Sequence, residues 1–416
     1  MKSRIIKNTL GGALGNAIEW YDFAIFGFSA PITAQIFVSA SDKLNALIYV
    51  YALFAIGFIS RPLGSILFGY IGDHYGRSTT LKLTVWFMSI PTVLIGLMPS
   101  YATLGMMTPI LIALLRLAQG IAMGGEFTGS VIYLAEQAPP KHRGFFSSFG
   151  YMSTTSGILI GSAIVTLNFH LFSSQTILAW AWRIPFLFSI VLCLIVFYLR
   201  RHLPEPATKK AKTYNPILLA FKHNKRAMLT AMGLNFFNAV GFYTLFIFMV
   251  SYLTDILKIN TNFALKLNTY SLVLLMLFIP VSGYLSDKFN RKAWLGLLTV
   301  VLLIWMTPAF WLLNTHSIVN VTWVILSLGI LVGLFQGSLP LIFVSLFPSQ
   351  TRASSLSMSF NISNAIFGGT APLVAVWLLS LTHNYLPLVG YLVFSMVVFL
   401  LTLALIPNAQ LASGIK

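Results

Sequence analysis

Five ionisable residues stand inside long apolar runs: Glu19, Asp22, Arg61, Arg116 and Glu126. Each costs roughly 2.5–3.5 kcal/mol on membrane-insertion scales unless it is paired or hydrated, so chemistry is expected from these residues first. Glu19 and Asp22 are three positions apart, which on a helix puts them on one face with Asn16. Two carboxylates that close in an oily interior resist being ionised together, and this suits a carboxyl group to take up and release a proton near neutral pH. Arg116, Gln119, Met123 and Glu126 fall within an arc of about 80° on a helix. Arg116 and Glu126 are then about 15 Å apart along the axis, too far to meet. Each is expected to pair with a neighbouring run, where Arg61 and the first-run carboxylates are available. Three acids against two bases leave one carboxylate in excess. That surplus is expected to carry a coupling proton, and an arginine freed on protonation to hold the carboxylate of a solute. The bland alternative is that the charges neutralise one another and only fix packing.

Neutral polar residues add a second tier. They cluster at Ser153–Ser156 and at Ser357, Ser359, Asn361, Ser363 and Asn364. Small residues such as Gly157 and Gly161 fit a packing explanation, because they let helices approach closely. Asn361 and Asn364 are harder to dismiss, since an amide facing lipid is unfavourable. Tyr21, Tyr151, Asn235, Asn238, Tyr243, Gln336 and Trp377 are further candidates to line a cavity. Aromatic faces hold quaternary ammonium groups, although sixteen tyrosines and nine tryptophans dilute that signal.

The elements that must position these residues follow from composition. Of 416 residues, 57% are apolar and 8% charged, against about 25% charged in a soluble domain. That excludes a soluble enzyme and points to an all-α membrane protein. Apolar runs bounded by charge, Pro or Gly give twelve spans near 12–38, 45–72, 80–98, 104–136, 143–167, 183–200, 228–254, 264–286, 293–313, 318–347, 353–380 and 385–406. The net charge of +17 is not a nucleic-acid footprint. Most Lys and Arg fall at the termini and in alternate connections, as the positive-inside rule requires of a multi-pass protein with both termini cytoplasmic. The apolar run after the basic N-terminus is too long for a cleaved signal and reads as a retained span. Cys193, the single cysteine, excludes an internal disulfide.

The polar stretch 201–227 divides the chain into an N-terminal bundle (1–200) and a C-terminal bundle (228–416). The halves echo each other. Gly69-Tyr-Ile-Gly-Asp73-His-Tyr-Gly76-Arg77 recurs as Gly283-Tyr-Leu-Ser-Asp287-Lys-Phe-Asn-Arg291, with the aspartates 214 positions apart. Gln119-Gly120 recurs 217 positions on as Gln336-Gly337, and Arg143 recurs 209 on as Arg352. Two six-span pseudo-symmetric bundles enclose a substrate site at their interface near the bilayer midplane.

The duplicated loop motif resembles the signature of the major facilitator superfamily. More narrowly, Gly15-Asn16-Ala-Ile-Glu19-Trp20-Tyr21-Asp22-Phe23, Arg61-Pro62-Leu-Gly64, Gly124-Gly125-Glu126, Trp182-Arg183-Ile-Pro185-Phe186 and Asn364-Ala-Ile-Phe-Gly368-Gly369 resemble its metabolite:proton symporter family. Asn290 and Ser78 depart from the loop pattern. The resemblance implies the twelve-helix major facilitator fold and proton symport of a small polar solute, the family's substrates including proline and betaine, α-ketoglutarate, citrate and shikimate. It also implies that Gly69, Asp73, Gly76, Arg77, Gly283, Asp287 and Arg291 form a cytoplasmic gate. The chain stops soon after its twelfth span, without the C-terminal coiled coil of osmosensing members, which leans the expectation toward metabolite uptake.

The expectation is therefore a monomeric transporter of the cytoplasmic (inner) membrane working by alternating access. Its partners are the lipid bilayer and a small carboxylate or zwitterion, with no nucleic acid. Protons are the coupling ion, and no cofactor or metal is expected. No G-x-x-x-x-G-K-[ST] loop supports ATP drive, and no nucleophile–base arrangement supports an enzyme. A proton-driven exporter and a non-transporting solute sensor are the alternatives.

Overall fold

The computed structural model describes residues 16–39, 43–75, 77–124, 126–200 and 221–408. Twelve helical segments cross the molecule: α1 (16–37, with one turn residue at Ser29), α2 (Lys43–Phe68), α3 (Leu83–Leu97), α4 (Met107–Gln137), α5 (Pro140–Leu171), α6 (Ala181–Ile195), α7 (Lys225–Ile256), α8 (Thr261–Lys288), α9 (Arg291–Leu313), α10 (Ile318–Ser345), α11 (Arg352–Thr382) and α12 (Leu386–Ala404). Among the described residues, nine of these helices are long and apolar enough to span a bilayer by length and composition alone, while α3 and α6 are shorter apolar helices. The expected spans fall on these helices to within a few residues. Of the expected linker 201–227, residues 201–220 lie outside the described residues.

Local chemistry sets the ends. Asn260 accepts the amides of Asn262 (3.0 Å) and Phe263 (3.3 Å) to cap α8, and Asn290 accepts that of Ala293 (3.1 Å) to cap α9. Such caps satisfy amide groups that the helix leaves without partners. Pro91 in α3 and Pro308 in α9 interrupt equivalent helices, 217 positions apart, and each removes a backbone donor from the ladder.

The packing repeats between halves. Within each half, α4 lies on α2 and α10 lies on α8. At Gly120 an added Cβ would collide with the carbonyl of Gly57, and at its counterpart Gly337 with the carbonyl of Ile279. Only glycine permits these backbones to approach so closely. Between halves, α2 meets α11, and α5 meets α8 and α10. Exchanging helices 2 with 8 and 5 with 11 carries one interface onto the other, as a pseudo-two-fold requires. The most hydropathic window of α7 is entirely buried, so α7 is a central helix. Large apolar side chains such as Leu63, Ile304, Trp323 and Leu401 instead project outward, each more than 60% exposed. A chain whose solvent is lipid presents such a belt.

Candidate functional site: a central cavity between the two halves

Hereafter the basic end is the one carrying the α2–α3, α4–α5, α8–α9 and α10–α11 connections. At mid-height a narrow cavity, with room for little more than water, is lined from both halves. Trp20, Phe127, Tyr151, Phe242, Tyr243 and Phe360 form aromatic walls. Thr154, Thr155, Asn238, Gln336 and Asn364 supply the polar atoms. The amides are held in a network. Asn238 donates to the Tyr151 hydroxyl (2.9 Å) and to Asn235 Oδ1 (2.8 Å), and Gln336 donates to Asn238 Oδ1 (3.1 Å). Among the described residues, no side chain lining this cavity is charged.

The charges lie beside it. Glu19, Asp22, Arg61 and Arg116 are each at most 2% exposed. Arg61 Nε donates to Asn361 Oδ1 at 3.2 Å, and Asn361 Nδ2 donates to the carbonyl of Gly124 at 2.6 Å, so one amide of α11 ties α2 to α4. The guanidinium lies 5.4 Å from the Trp20 ring and 5.3 Å from that of Phe58. Glu19 and the cavity residue Tyr243 are close enough to act on it electrostatically. The side chain of Glu126 lies outside the described residues.

Arg116, expected to pair with a neighbouring run where the first-run carboxylates are available, meets neutral groups and rings instead. Among the described residues, its guanidinium donates to Gln119 Oε1 (2.8 Å) and to the carbonyl of Phe54 (3.4 Å). It sits 4.0 Å from the ring centre of Phe23, 4.7 Å from Phe26 and 5.2 Å from Phe54. Three ring faces supply the negative potential that an acid was expected to provide. Asp22 likewise faces hydroxyls: it accepts from Ser89 (3.1 Å), with Thr92 and Ser189 nearby. The two are linked indirectly, because Gln119 Nε2 donates to the Thr92 hydroxyl at 2.7 Å.

Of the other candidates, Tyr151, Asn238, Tyr243, Gln336 and Asn364 line the cavity, and Asn235 braces Asn238 from outside it. Asn16 is turned to α5, where it donates to Ser153 Oγ at 2.8 Å. Tyr21 donates to the carbonyl of Pro185 at 2.6 Å, within the N-terminal half. Gln119 is engaged by Arg116, and Trp377 is half exposed on α11, off the cavity wall. Trp20, Phe127 and Phe242 were not anticipated, since aromatic residues in so apolar a chain carry no sequence mark of facing a cavity.

Both ends of the cavity are closed by side chains of opposite halves. Away from the basic end, Tyr51, Phe54 and Phe58 run along one face of α2. Tyr51 and Ser251 of α7 share a hydroxyl hydrogen bond of 2.8 Å. Phe248 meets Tyr51 edge to face (5.7 Å between centroids), as Tyr243 meets Phe58 (5.0 Å) and Phe54 (6.0 Å). Opposite this column α7 follows π-helical geometry at Tyr243–Phe248, as α11 does at Asn364–Gly368. Such irregularity is frequent at functional sites. At the basic end, Asp287 accepts the amides of Gly144 (2.8 Å) and Phe145 (2.9 Å) at the start of α5 and pairs with Arg291 at 3.5 Å. A Cβ on Gly283 would collide with Ser148, so glycine lets α8 and α5 touch there. Arg352 of α11 bridges to Glu136 of α4 at 2.5 Å. Of the first copy of the loop motif, Gly76 and the side chains of Asp73 and Arg77, with the surroundings of Gly69, lie outside the described residues.

Comparison with known proteins accords with this architecture. The profile of the Major Facilitator Superfamily matches residues 12–372. The glycine betaine/proline/ectoine/pipecolic acid transporter OusA of Dickeya dadantii is 36% identical, the match covering 96% of this chain and 82% of that protein. The proline/betaine transporter of Escherichia coli K12 is 34% identical over 96% of this chain and 83% of its own length. The alpha-ketoglutarate permease of the same organism is 32% identical, over 89% of this chain and 87% of that protein. Among solved structures, the D-xylose-proton symporter superposes with a TM-score of 0.76 at 19% identity, covering 96% of both chains, which shows a shared fold. In sequence and in architecture, this chain belongs to the Major Facilitator Superfamily and is a multi-pass membrane transporter of solutes.

Proposed function

We propose that this chain is a proton-coupled symporter of a small zwitterion of the proline or betaine type, moved by alternating access. The basic end faces the cytoplasm in this reading, with both termini on that side, as the positive-inside bias supports. The observation that carries the proposal is the cavity wall: aromatic faces around a neutral amide cluster, with two buried arginines just behind it. Ring faces attract a quaternary or secondary ammonium. The amides orient the solute, and Arg61, reached through Tyr243, offers the partner for a carboxylate.

Coupling is assigned to the N-terminal half. Glu19 and Asp22 lie on α1, against α2 and α3 respectively, and are the groups on which a proton would change the local charge balance. Protonation of Glu19 removes an attraction on Arg61, which then becomes available to a carboxylate. Asp22 communicates with Arg116 through Thr92 and Gln119. Substrate and proton thereby act on the same two guanidinium groups. A ligand moves such an equilibrium only by binding one state better than another, and the residues that differ between states are those of the two closures. Asp287 and Arg291 hold the cytoplasmic closure, with Gly69, Asp73, Gly76 and Arg77 as their counterparts in the first half.

The test is uptake of radiolabelled glycine betaine or proline into proteoliposomes with an imposed inward proton gradient. Accumulation above equilibrium that collapses with an uncoupler is expected. Downhill equilibration that ignores the gradient, or outward movement as protons enter, would overturn the symport reading.

A further inference from the structure

Three amides and a hydroxyl of the C-terminal half form one hydrogen-bonded relay at the wall of the central cavity. Ser363 of α11, Asn235 and Asn238 of α7 and Gln336 of α10 are all buried. Because every member belongs to the same half, the relay stays intact when the two halves move relative to each other.

The relay has a direction. The Ser363 hydroxyl donates its single hydrogen to the carbonyl of Met232 at 3.3 Å, which leaves its oxygen to accept. It accepts from Asn235 Nδ2 at 3.2 Å. Asn235 therefore turns its oxygen to Asn238, whose Nδ2 donates to it at 2.8 Å and to the Tyr151 hydroxyl at 2.9 Å. Asn238 Oδ1 in turn accepts from Gln336 Nε2 at 3.1 Å. Each amide is thus oriented by the one before it, since the nitrogen and oxygen of an amide are told apart by their partners. One atom is left over at the end of the relay, Gln336 Oε1.

Gln336 Oε1 is buried and has no hydrogen-bond partner among the described residues. Of the buried side-chain nitrogens and oxygens in that condition, it alone belongs to a residue lining the central cavity. A buried acceptor left unpaired is costly. Water reaches such an acceptor while a cavity is open, and a solute that displaces the water without offering a hydrogen in return loses affinity. The aromatic walls make no such demand, because a ring face attracts any ammonium, with or without N–H groups. The rings select for positive charge, and Gln336 selects among positively charged groups.

We propose that Gln336 sets the solute preference: its Oε1 accepts a hydrogen bond from the ammonium of the solute, so zwitterions with a primary or secondary ammonium bind in preference to quaternary betaines. The preference rests on the reading that the cavity takes a zwitterion of the proline or betaine type, and it divides that class. With the carboxylate turned toward Arg61, the ammonium meets the ring faces and the free acceptor together. A quaternary ammonium still gains the ring contacts but covers Oε1 without pairing it. A site built around a hydrogen bond discriminates against the analogue that lacks it.

The test is calorimetric binding to the purified full chain of three ligands that share a ring and a carboxylate: proline, N-methylproline and N,N-dimethylproline. Their ammonium groups carry two, one and no N–H hydrogens. Proline and N-methylproline should bind within about threefold of each other, and N,N-dimethylproline at least about tenfold more weakly, for want of one charged hydrogen bond. An even loss with each added methyl would indicate crowding, and equal binding of all three would indicate no N–H contact. Either result overturns the role of Gln336 and leaves the zwitterion reading standing. Gln336→Leu should remove the step, weakening the first two ligands about tenfold and leaving N,N-dimethylproline within about twofold of its wild-type affinity. A step that survives in this variant, or equal weakening of all three ligands, also overturns that role. If the variant does not fold, the wild-type series decides alone. Binding of none of the three to the folded wild-type chain overturns the zwitterion reading and this preference with it.

Discussion

The carboxylate of Asp287, at the end of α8, accepts the backbone amide of Gly144, at the start of α5, at 2.8 Å. A residue of the second half thus caps the N-terminus of a helix in the first half, where the helix dipole favours negative charge. Separating α8 from α5 would break this bond, so it favours the arrangement in which the basic end is closed.

Replacing Asp287 with Asn removes the charge and keeps the size. The closed state should lose about 1–2 kcal/mol, a five- to thirtyfold shift of the equilibrium. In a Cys193→Ser background, a single cysteine at Ser148 should react faster with a thiol reagent applied from the basic end. Unchanged reactivity would show that the cap does not hold the closure.

At the other end, Tyr51 and Ser251 close the cavity through one hydroxyl bond of 2.8 Å. Tyr51→Phe and Ser251→Ala should each weaken that closure by about 0.5–1.5 kcal/mol. The double variant should be no worse than either single one, because both remove the same bond. The readout is reactivity of a cysteine placed at Phe248 toward an impermeant reagent. Additive effects would mean that the two side chains act separately.

Glycine packing gives a stability prediction with a built-in control. Gly337→Ala places a methyl against the Ile279 carbonyl, whereas a Cβ on Gly390 meets nothing within 4 Å. The first should lower thermal stability by roughly 1–3 kcal/mol or prevent folding, and Gly390→Ala should be near neutral. The comparison is made by thermal unfolding of the two purified variants.

Arg116 makes a sharper test of how charge is held. With three phenylalanine rings around its guanidinium, Arg116→Lys keeps the charge but loses the planar stack and the forked donation to Gln119 and Phe54. The variant should fold, since a cation remains in the aromatic cage, yet its kcat should fall at least about tenfold, as expected when a bidentate, stacked site is lost. Full activity in the lysine variant would reduce Arg116 to a packing element.

How much of this was legible in the sequence differs between levels. The spans were readable because lipid imposes long apolar runs, and the internal repeat because Asp73 and Asp287, or Gln119 and Gln336, recur at nearly constant offset. Partners across helices were not. Whether Arg116 meets an acid or a ring depends on the rotation of α1 and α2 about their axes, which spacing along α4 does not encode. Tyr21 and Trp377 illustrate the same limit: a polar aromatic in an apolar helix reads alike whether it turns to a backbone carbonyl, to lipid or to a cavity. The π-helical stretch at Tyr243–Phe248 has no sequence signal either, yet it sets which residues of α7 face Phe54 and Phe58.

One experiment addresses most directly the coupling role proposed for Glu19, Asp22 and Glu126. Glu19→Gln, Asp22→Asn and Glu126→Gln are reconstituted separately, and proton-gradient-driven accumulation of glycine betaine is compared with its exchange at equilibrium. At least one variant should lose accumulation while retaining exchange, because its cavity still binds the solute but no proton is carried. If all three accumulate solute as well as the parent protein does, these carboxylates do not couple transport to protons.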